Sequence, residues 1–376
     1  MDAQRLTIVE KLHDNVGIPP LTLADFQYQE AEPVDPRLVI EQPTISLYCV
    51  DHETQRAIFV ETPQDVDLSQ APFYYNAQYK AAQSLIAVSY DTLHTLAEQI
   101  TIDPARLMLV YSTGRCGSTL VSHALNQADG VYSFSEPDVF TQLVGLRDFD
   151  PKNDSFVRTL LEDCTKIMCA AVQRAGASAW AFKFRSWGIE LGDLFYQTFP
   201  AAKVMFLYRN AEGYVKSLAR VNNLFEPETL QALPAFQQVF SHYSPLVRAY
   251  AATHTTTIPP IEFCVCLWVP VMQRCLDLQQ QGIPMICARF EDLKVAPDQV
   301  LKALFTFCEL SVSDQAAVDR VLALDSQAGT ALSQANALQS RSMLTPAHVQ
   351  ELHRLLHHYA PTLPSDVILP HTYRPS

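Results

Sequence analysis

The chain has 376 residues, of which 48% are hydrophobic and 18% charged, and a formal net charge of −13. Its length allows one large domain or a domain with an attachment, and its balance of residue types excludes global disorder. An acidic surface repels polyanions and excludes a general nucleic-acid binder, but a small anionic ligand can still be held where cations cluster locally.

Residues 1–104 differ in texture from the rest of the chain. Pro19, Pro20, Pro33, Pro36, Pro43, Pro63 and Pro72 exclude long helices before position 74. Two short β-branched or alternating runs, 45–50 and 56–61, flank Asp51-His52-Glu53-Thr54-Gln55 and predict a hairpin. Residues 77–100 carry Ala81, Leu85, Leu93, Leu96 and Ile100 at helical spacing, which predicts one or two helices. The region reads as an irregular accessory segment with a β-hairpin. The opening residues, Met1-Asp2-Ala3-Gln4-Arg5, lack the basic flank and apolar core of a secretory leader. No apolar run is long enough to span a bilayer, so the expected compartment is the cytoplasm. Nine cysteines without a CxxC pair read as reduced, buried thiols, and no metal site is expected.

From residue 105 to 376 short buried strands alternate with helices. Strands are expected at 107–111, 178–184, 203–208 and 285–288, and helices at 119–126, 155–174, 211–221, 263–281 and 297–308. Such alternation predicts an α/β domain with a central parallel sheet covered on both faces.

The most informative segment is Tyr111-Ser112-Thr113-Gly114-Arg115-Cys116-Gly117-Ser118-Thr119. A buried strand enters a turn with two glycines and passes directly into a helix. Gly114 and Gly117 permit a tight bend and close approach of the backbone to a ligand. The first helical turn offers free N–H groups and the positive end of the helix dipole, which together favour an anion. Thr113, Ser118 and Thr119 add hydroxyls, and Arg115 adds a fixed charge. The spacing is not GxxxxGK[ST], since only Arg115 and Cys116 separate the glycines and Ser118 stands where a lysine is needed. It is not the Cys-x5-Arg of a cysteine phosphatase either, because Ser122 lies six residues after Cys116.

A second strand-to-helix segment ends in Tyr208-Arg209-Asn210 and carries Ser217 eight residues after Arg209. Arg209 falls at the carboxyl edge of its strand, and Ser217, two helical turns on, can return to the same mouth. A guanidinium and a hydroxyl suit a phosphate monoester.

With these two elements the sequence resembles the sulfotransferases that use 3′-phosphoadenosine 5′-phosphosulfate (PAPS). Their [KR]-x-G-[ST]-T loop for the 5′-phosphosulfate is matched by Arg115-Cys116-Gly117-Ser118-Thr119. Their strand ending in Arg-Asn with a serine eight residues later, for the 3′-phosphate, is matched by Arg209, Asn210 and Ser217. Arg289-Phe290-Glu291-Asp292-Leu293-Lys294 is similar to the family's YEDL strand end, Phe307-Cys308-Glu309-Leu310 to its FLGL, and Trp268 also fits. The resemblance covers residues 105–310 and implies a three-layer, P-loop-like fold. It further implies transfer of sulfonate from PAPS to a hydroxyl acceptor, which could be a small molecule, a carbohydrate or a lipid, with 3′,5′-adenosine diphosphate as product.

Arg115 takes the clamp role in this resemblance. Glu136, in Ser133-Phe134-Ser135-Glu136-Pro137, is similar to the base of carbohydrate and tyrosyl-protein sulfotransferases. The competing reading makes Glu136 a structural partner of a nearby arginine. Lys183 and Arg185, two alternating cations at a strand end, either contact sulfonate or acceptor or form a solvated basic strand end. His123 reads as a surface residue. The family's RKGxxGDWK segment is absent, and Ser340-Arg341-Ser342 is the one candidate substitute. Cys116, beside Arg115 at a helix start, is expected to be alkylation-sensitive. Residues 221–260 read either as an acceptor-pocket or lid segment or as a structural insertion. Two other functions fit the same loop: an ATP-dependent small-molecule kinase, and a non-catalytic protein that binds PAPS or its product.

Overall fold

A computed structural model describes residues 3–14, 20–327, 330 and 343–376. Its strands form two five-stranded sheets. In the first, β1 (Ala3–Lys11), β2 (Phe26–Pro33), β3 (Ile45–Asp51), β4 (Arg56–Glu61) and β5 (Ser84–Ser89) are ordered β2-β1-β5-β4-β3 and pair antiparallel. The expected hairpin is β3 and β4. The rest of the sheet was hidden for identifiable reasons. β2 is an edge strand exposed along most of its length, and β1 carries two register irregularities that break its alternation. β5 has four buried residues in succession between the Tyr74–Ala81 and Tyr90–Glu98 helices. A short apolar run of that kind has the same periodicity as a buried helix. The helices expected across 77–100 are therefore two helices with a strand between them.

The second sheet consists of β6 (Leu107–Ser112), β7 (Val131–Ser135), β8 (Ala179–Lys183), β9 (Lys203–Tyr208) and β10 (Met285–Arg289), ordered β10-β9-β6-β8-β7. β9 pairs parallel with β10, placing Tyr208 opposite Arg289. β7 pairs parallel with β8, placing Ser135 opposite Lys183. All six residues of β6 are buried, as a strand covered on both faces requires. The protein is an α/β protein with a central parallel sheet, of the three-layer, P-loop-like kind. The chain leaves β6 first toward the β7–β8 side and later toward the β9–β10 side. β6 is thus the point at which strand order reverses, where open α/β sheets bind ligands beyond their carboxyl ends.

The chain divides into two compact units. The first comprises Met1–Leu109, Asp129–Phe184 and Leu191–Ala202. Within it the N-terminal segment is hydrogen-bonded to the residues after β7. Asp138 accepts from the Leu21 N–H at 2.7 Å, and the Gln142 amide bridges both backbone groups of Val50. The second unit comprises Val110–Ala128, Arg185–Glu190 and Lys203–Ser376. Residues 221–260 belong to it and form the helices Pro227–Phe240 and Pro245–Thr253. Leu233, Phe240 and Val247 from these helices pack with Ile258, Phe263 and Cys266 in a core of their own.

All nine cysteines are buried and unbridged. Among the described residues no helix is long and apolar enough to cross a membrane, and no cluster of three metal-ligating side chains occurs.

Candidate functional site

The loop after β6 is built by its glycines. Gly114, Arg115 and Gly117 have φ of 76°, 56° and 80°, all in the left-handed region. A Cβ on Gly114 would lie 2.8 Å from Ser186 Oγ, and one on Gly117 would lie 2.9 Å from Leu293 Cδ2 and 3.4 Å from the Phe290 ring. Both positions therefore need glycine for conformation and for space. Gly117 leads into the Ser118–Leu125 helix. The loop is tied to the end of β9 through one acceptor, since the Leu207 carbonyl receives the Thr113 N–H at 3.0 Å and the Cys116 thiol at 3.3 Å. Ser112 Oγ accepts from the Gly114 N–H and donates to Ser118 Oγ. The N–H groups of Gly117, Ser118, Thr119 and Leu120 find no acceptor among the described residues. That leaves a helix start with its donors available.

Arg209 and Ser217 meet this loop. Arg115 Nε donates to Ser217 Oγ at 3.1 Å, and Arg209 Nη1 donates to the Arg115 carbonyl at 3.2 Å. The Arg209 guanidinium lies 4.3 Å from the centre of the Phe290 ring, a cation–π position. Its Nε is buried and has no hydrogen-bond partner among the described residues, nor does any carboxylate there come within ion-pair distance of it. Burial pulls the guanidinium below its ordinary pKa, an effect that Glu291 partly offsets. The backbone is held as firmly as the side chain, since the Trp268 indole donates to the Arg209 carbonyl at 3.0 Å. Asn210 caps the Ala211–Val221 helix by accepting from the Gly213 N–H at 2.6 Å. Its own N–H donates to Glu291.

Two hydroxyls are pre-set by these bonds. Ser217 accepts from Arg115, and Thr119 Oγ1 accepts from the Gln327 amide at 2.9 Å. Each hydroxyl has one proton, and these incoming bonds leave it available to a further acceptor. The arrangement combines fixed positive charge, backbone N–H groups and oriented hydroxyls, and can bind an oxyanion.

Sequence reasoning missed three contributors. Phe290 lay inside a recognised motif, but its place beneath Arg209 depends on how β9 and β10 pair. A Cβ on Gly213 would lie 2.7 Å from Arg209 Nε; the available signal was a glycine inside a helix, which costs about 1 kcal/mol without a packing reason. Gln327 is 208 residues from Thr119 and gave no local signal. Ser340-Arg341-Ser342 lies outside the described residues.

Two expectations are corrected. Cys116 is only 1% exposed with its thiol turned to Leu207, so it is not poised for alkylation. His123 is half-buried rather than a surface residue.

Glu136 and Lys183 lie in the other unit, at the carboxyl ends of β7 and β8. Glu136 has φ 62°, and its N–H donates to the Lys183 carbonyl at 2.6 Å. The Lys183 ammonium, 3% exposed, is ion-paired with the Glu136 carboxylate. The competing reading of Glu136 as a structural residue named an arginine partner; Lys183 is one partner that its carboxylate has. Arg185 falls beyond the end of β8, with its guanidinium 5.8 Å from the centre of the Trp187 ring.

No family model matches the chain. No curated protein matches it either. Solved structures similar to it include three sulfotransferases. Sulfotransferase STF1 from Mycobacterium tuberculosis H37Rv is 11% identical, with a TM-score of 0.43 over 72% of this chain and 82% of that one. A sulfotransferase from Alicyclobacillus acidocaldarius is 16% identical, with a TM-score of 0.40 over 68% and 91%. Sulfotransferase STF9 from Mycobacterium avium is 13% identical, with a TM-score of 0.37 over 73% and 80%.

Proposed function

We propose that the protein is a sulfotransferase that uses PAPS as sulfonate donor and a hydroxyl compound as acceptor. The observation that carries this reading is Arg209, a half-buried cation without a carboxylate partner among the described residues, hydrogen-bonded to the backbone of a glycine-built anion loop. An unpaired buried charge is costly, and a ligand phosphate would remove that cost. In this reading the loop N–H groups with Thr113, Ser118 and Thr119 hold the 5′-phosphate, while Arg209 and Ser217 hold the 3′-phosphate. Two separate anion-binding groups fit a nucleotide with phosphates at both ends of its ribose.

In the transfer step the acceptor oxygen forms a bond to sulfur as the bond from sulfur to the 5′-phosphate oxygen breaks. Arg115 stabilises the charge that develops on the departing oxygen, an effect typically worth about 3 kcal/mol. Glu136 takes the acceptor's proton, and Lys183 holds the Glu136 carboxylate in position. Residues 1–104 act as an accessory region to a catalytic domain of residues 105–376. An ATP-dependent kinase is disfavoured by the missing P-loop lysine and by a cation pair suited to a second phosphate.

The test separates binding from turnover. Glu136→Ala should leave the affinity for 3′,5′-adenosine diphosphate unchanged and lower sulfonate transfer by roughly 10²–10⁴-fold, the usual worth of a general base. Full turnover by that variant would remove Glu136 from the mechanism, and a non-catalytic nucleotide-binding protein would show no turnover in either form.

A further inference from the structure

The first unit contains a cavity of about 270 Å³ whose lining includes no residue of the anion loop and none used by the proposed chemistry. It lies among β3, β4, β7 and the Asp154–Gln173 helix. Its wall is aromatic and aliphatic: Phe59, Tyr74, Tyr132, Phe134 and Met168 all line it. Phe134 and Tyr74 meet edge-on at 5.4 Å, and Tyr132 lies 4.7 Å from Phe134. These rings are packed against one another, so the wall is rigid.

The polar part of the lining has one sign of charge. Asp65 and Asp67 both contribute, and no lysine, arginine or histidine does. Both carboxylates are exposed, so the cavity meets solvent beside them, and neither has a cation within ion-pair distance among the described residues. Asp67 accepts from the Ser69 N–H at 2.9 Å and from its hydroxyl at 2.6 Å, which fixes the carboxylate in place. Its charge is felt inside: burial, Tyr74 and Asp67 together push the Tyr132 phenol well above its ordinary pKa.

The geometry points to a binding site for a small organic cation, an apolar or aromatic body carrying an amine, with the body against the rings and the ammonium at Asp65 and Asp67. Each part of that ligand has a counterpart. The apolar body gains by leaving water, the π faces attract a cation, and the two carboxylates oppose an anion in the same place. The volume, close to the lower end of ordinary ligand pockets, suits a molecule of about ten non-hydrogen atoms.

The test uses three probes of one shape, 2-phenylethylamine, 2-phenylethanol and 3-phenylpropionate, titrated into the full-length protein by calorimetry. The amine should bind saturably and at least about tenfold more tightly than the alcohol, a difference of 1.4 kcal/mol, and the carboxylate should not bind. Asp67→Asn keeps an oxygen for the Ser69 cap and should remove most of the preference for the amine. Ala171→Phe, which fills the cavity from the Asp154–Gln173 helix, should abolish binding, with a thermal melt to confirm that the variant is folded. Equal binding of amine and alcohol, tighter binding of the carboxylate, or an unchanged preference in Asp67→Asn would each overturn the proposal. So would full binding by folded Ala171→Phe.

Discussion

Lys183 and Arg209 are both basic side chains at the carboxyl ends of strands of the parallel sheet, and the fold treats them differently. Lys183 is almost wholly buried, and Glu136, held by a backbone bond to Lys183 itself, neutralises it. Arg209 is half-buried and rests on an aromatic ring, bonded to a backbone carbonyl, with no carboxylate within ion-pair distance among the described residues. A buried charge whose counterion is supplied by the chain contributes to stability only through the intact pair. A buried charge left without a counterion weakens the empty fold and is suited to a ligand that brings one.

That contrast can be broken at either end. Lys183→Met removes the ammonium from the mostly buried ion pair with Glu136 and should destabilise the protein by about 3–5 kcal/mol, read from urea unfolding. Adding Glu136→Gln should recover part of the loss, and additive effects would mean that the two are not a unit. Arg209→Ala should behave in the opposite way. Stability without ligand should hold or rise, while affinity for 3′,5′-adenosine diphosphate falls by about 3 kcal/mol, on the order of a hundredfold. A variant that is equally destabilised and still binds would make Arg209 structural.

Gly117→Ala probes the loop that Arg209 serves. The φ of 80° and the approach of Leu293 should cost about 1–2 kcal/mol of stability and weaken anion binding in step, which calorimetry and a thermal melt would resolve together.

The smallest effect concerns a third cation, His94, which lies at the surface and is paired with Asp163. The hydrogen bond to Asp163, then the charge of that carboxylate, raises the imidazole pKa, with Glu98 and Glu162 contributing less. A raised folded pKa means that this stabilisation is fully present below the unfolded value of about 6.5 and is lost as pH rises through the folded value. His94→Gln should flatten the dependence of melting temperature on pH across that window, and an unchanged slope would assign it to other groups.

How much of this was legible in the sequence depends on the range of the interactions. β9 and the helix after it could be bounded from residues 203–221 alone, because a buried parallel strand is a continuous apolar run and Asn210 is a cap with a sequence signature. The loop was equally local. β1, β2 and β5 were not, because bulges, edge exposure and a short buried run each erase the period-two signal. In the site, Arg209 and Ser217 were found by spacing. Phe290 and Gln327 were not, since each reaches the loop from another part of the chain. The pairing of Glu136 with Lys183 is set by the β7–β8 register, which no local pattern encodes.

In the proposed function, the loop after β6 and Arg209 together hold a nucleotide with two separate phosphate groups. The most direct measurement is a thermal melt of the protein with 3′,5′-adenosine diphosphate and, separately, with ATP and magnesium. At a hundred times its dissociation constant a ligand of the native state adds about 2.7 kcal/mol. A clear upward shift with 3′,5′-adenosine diphosphate is expected, and it should disappear in Arg209→Ala. A shift with ATP and magnesium alone would contradict it.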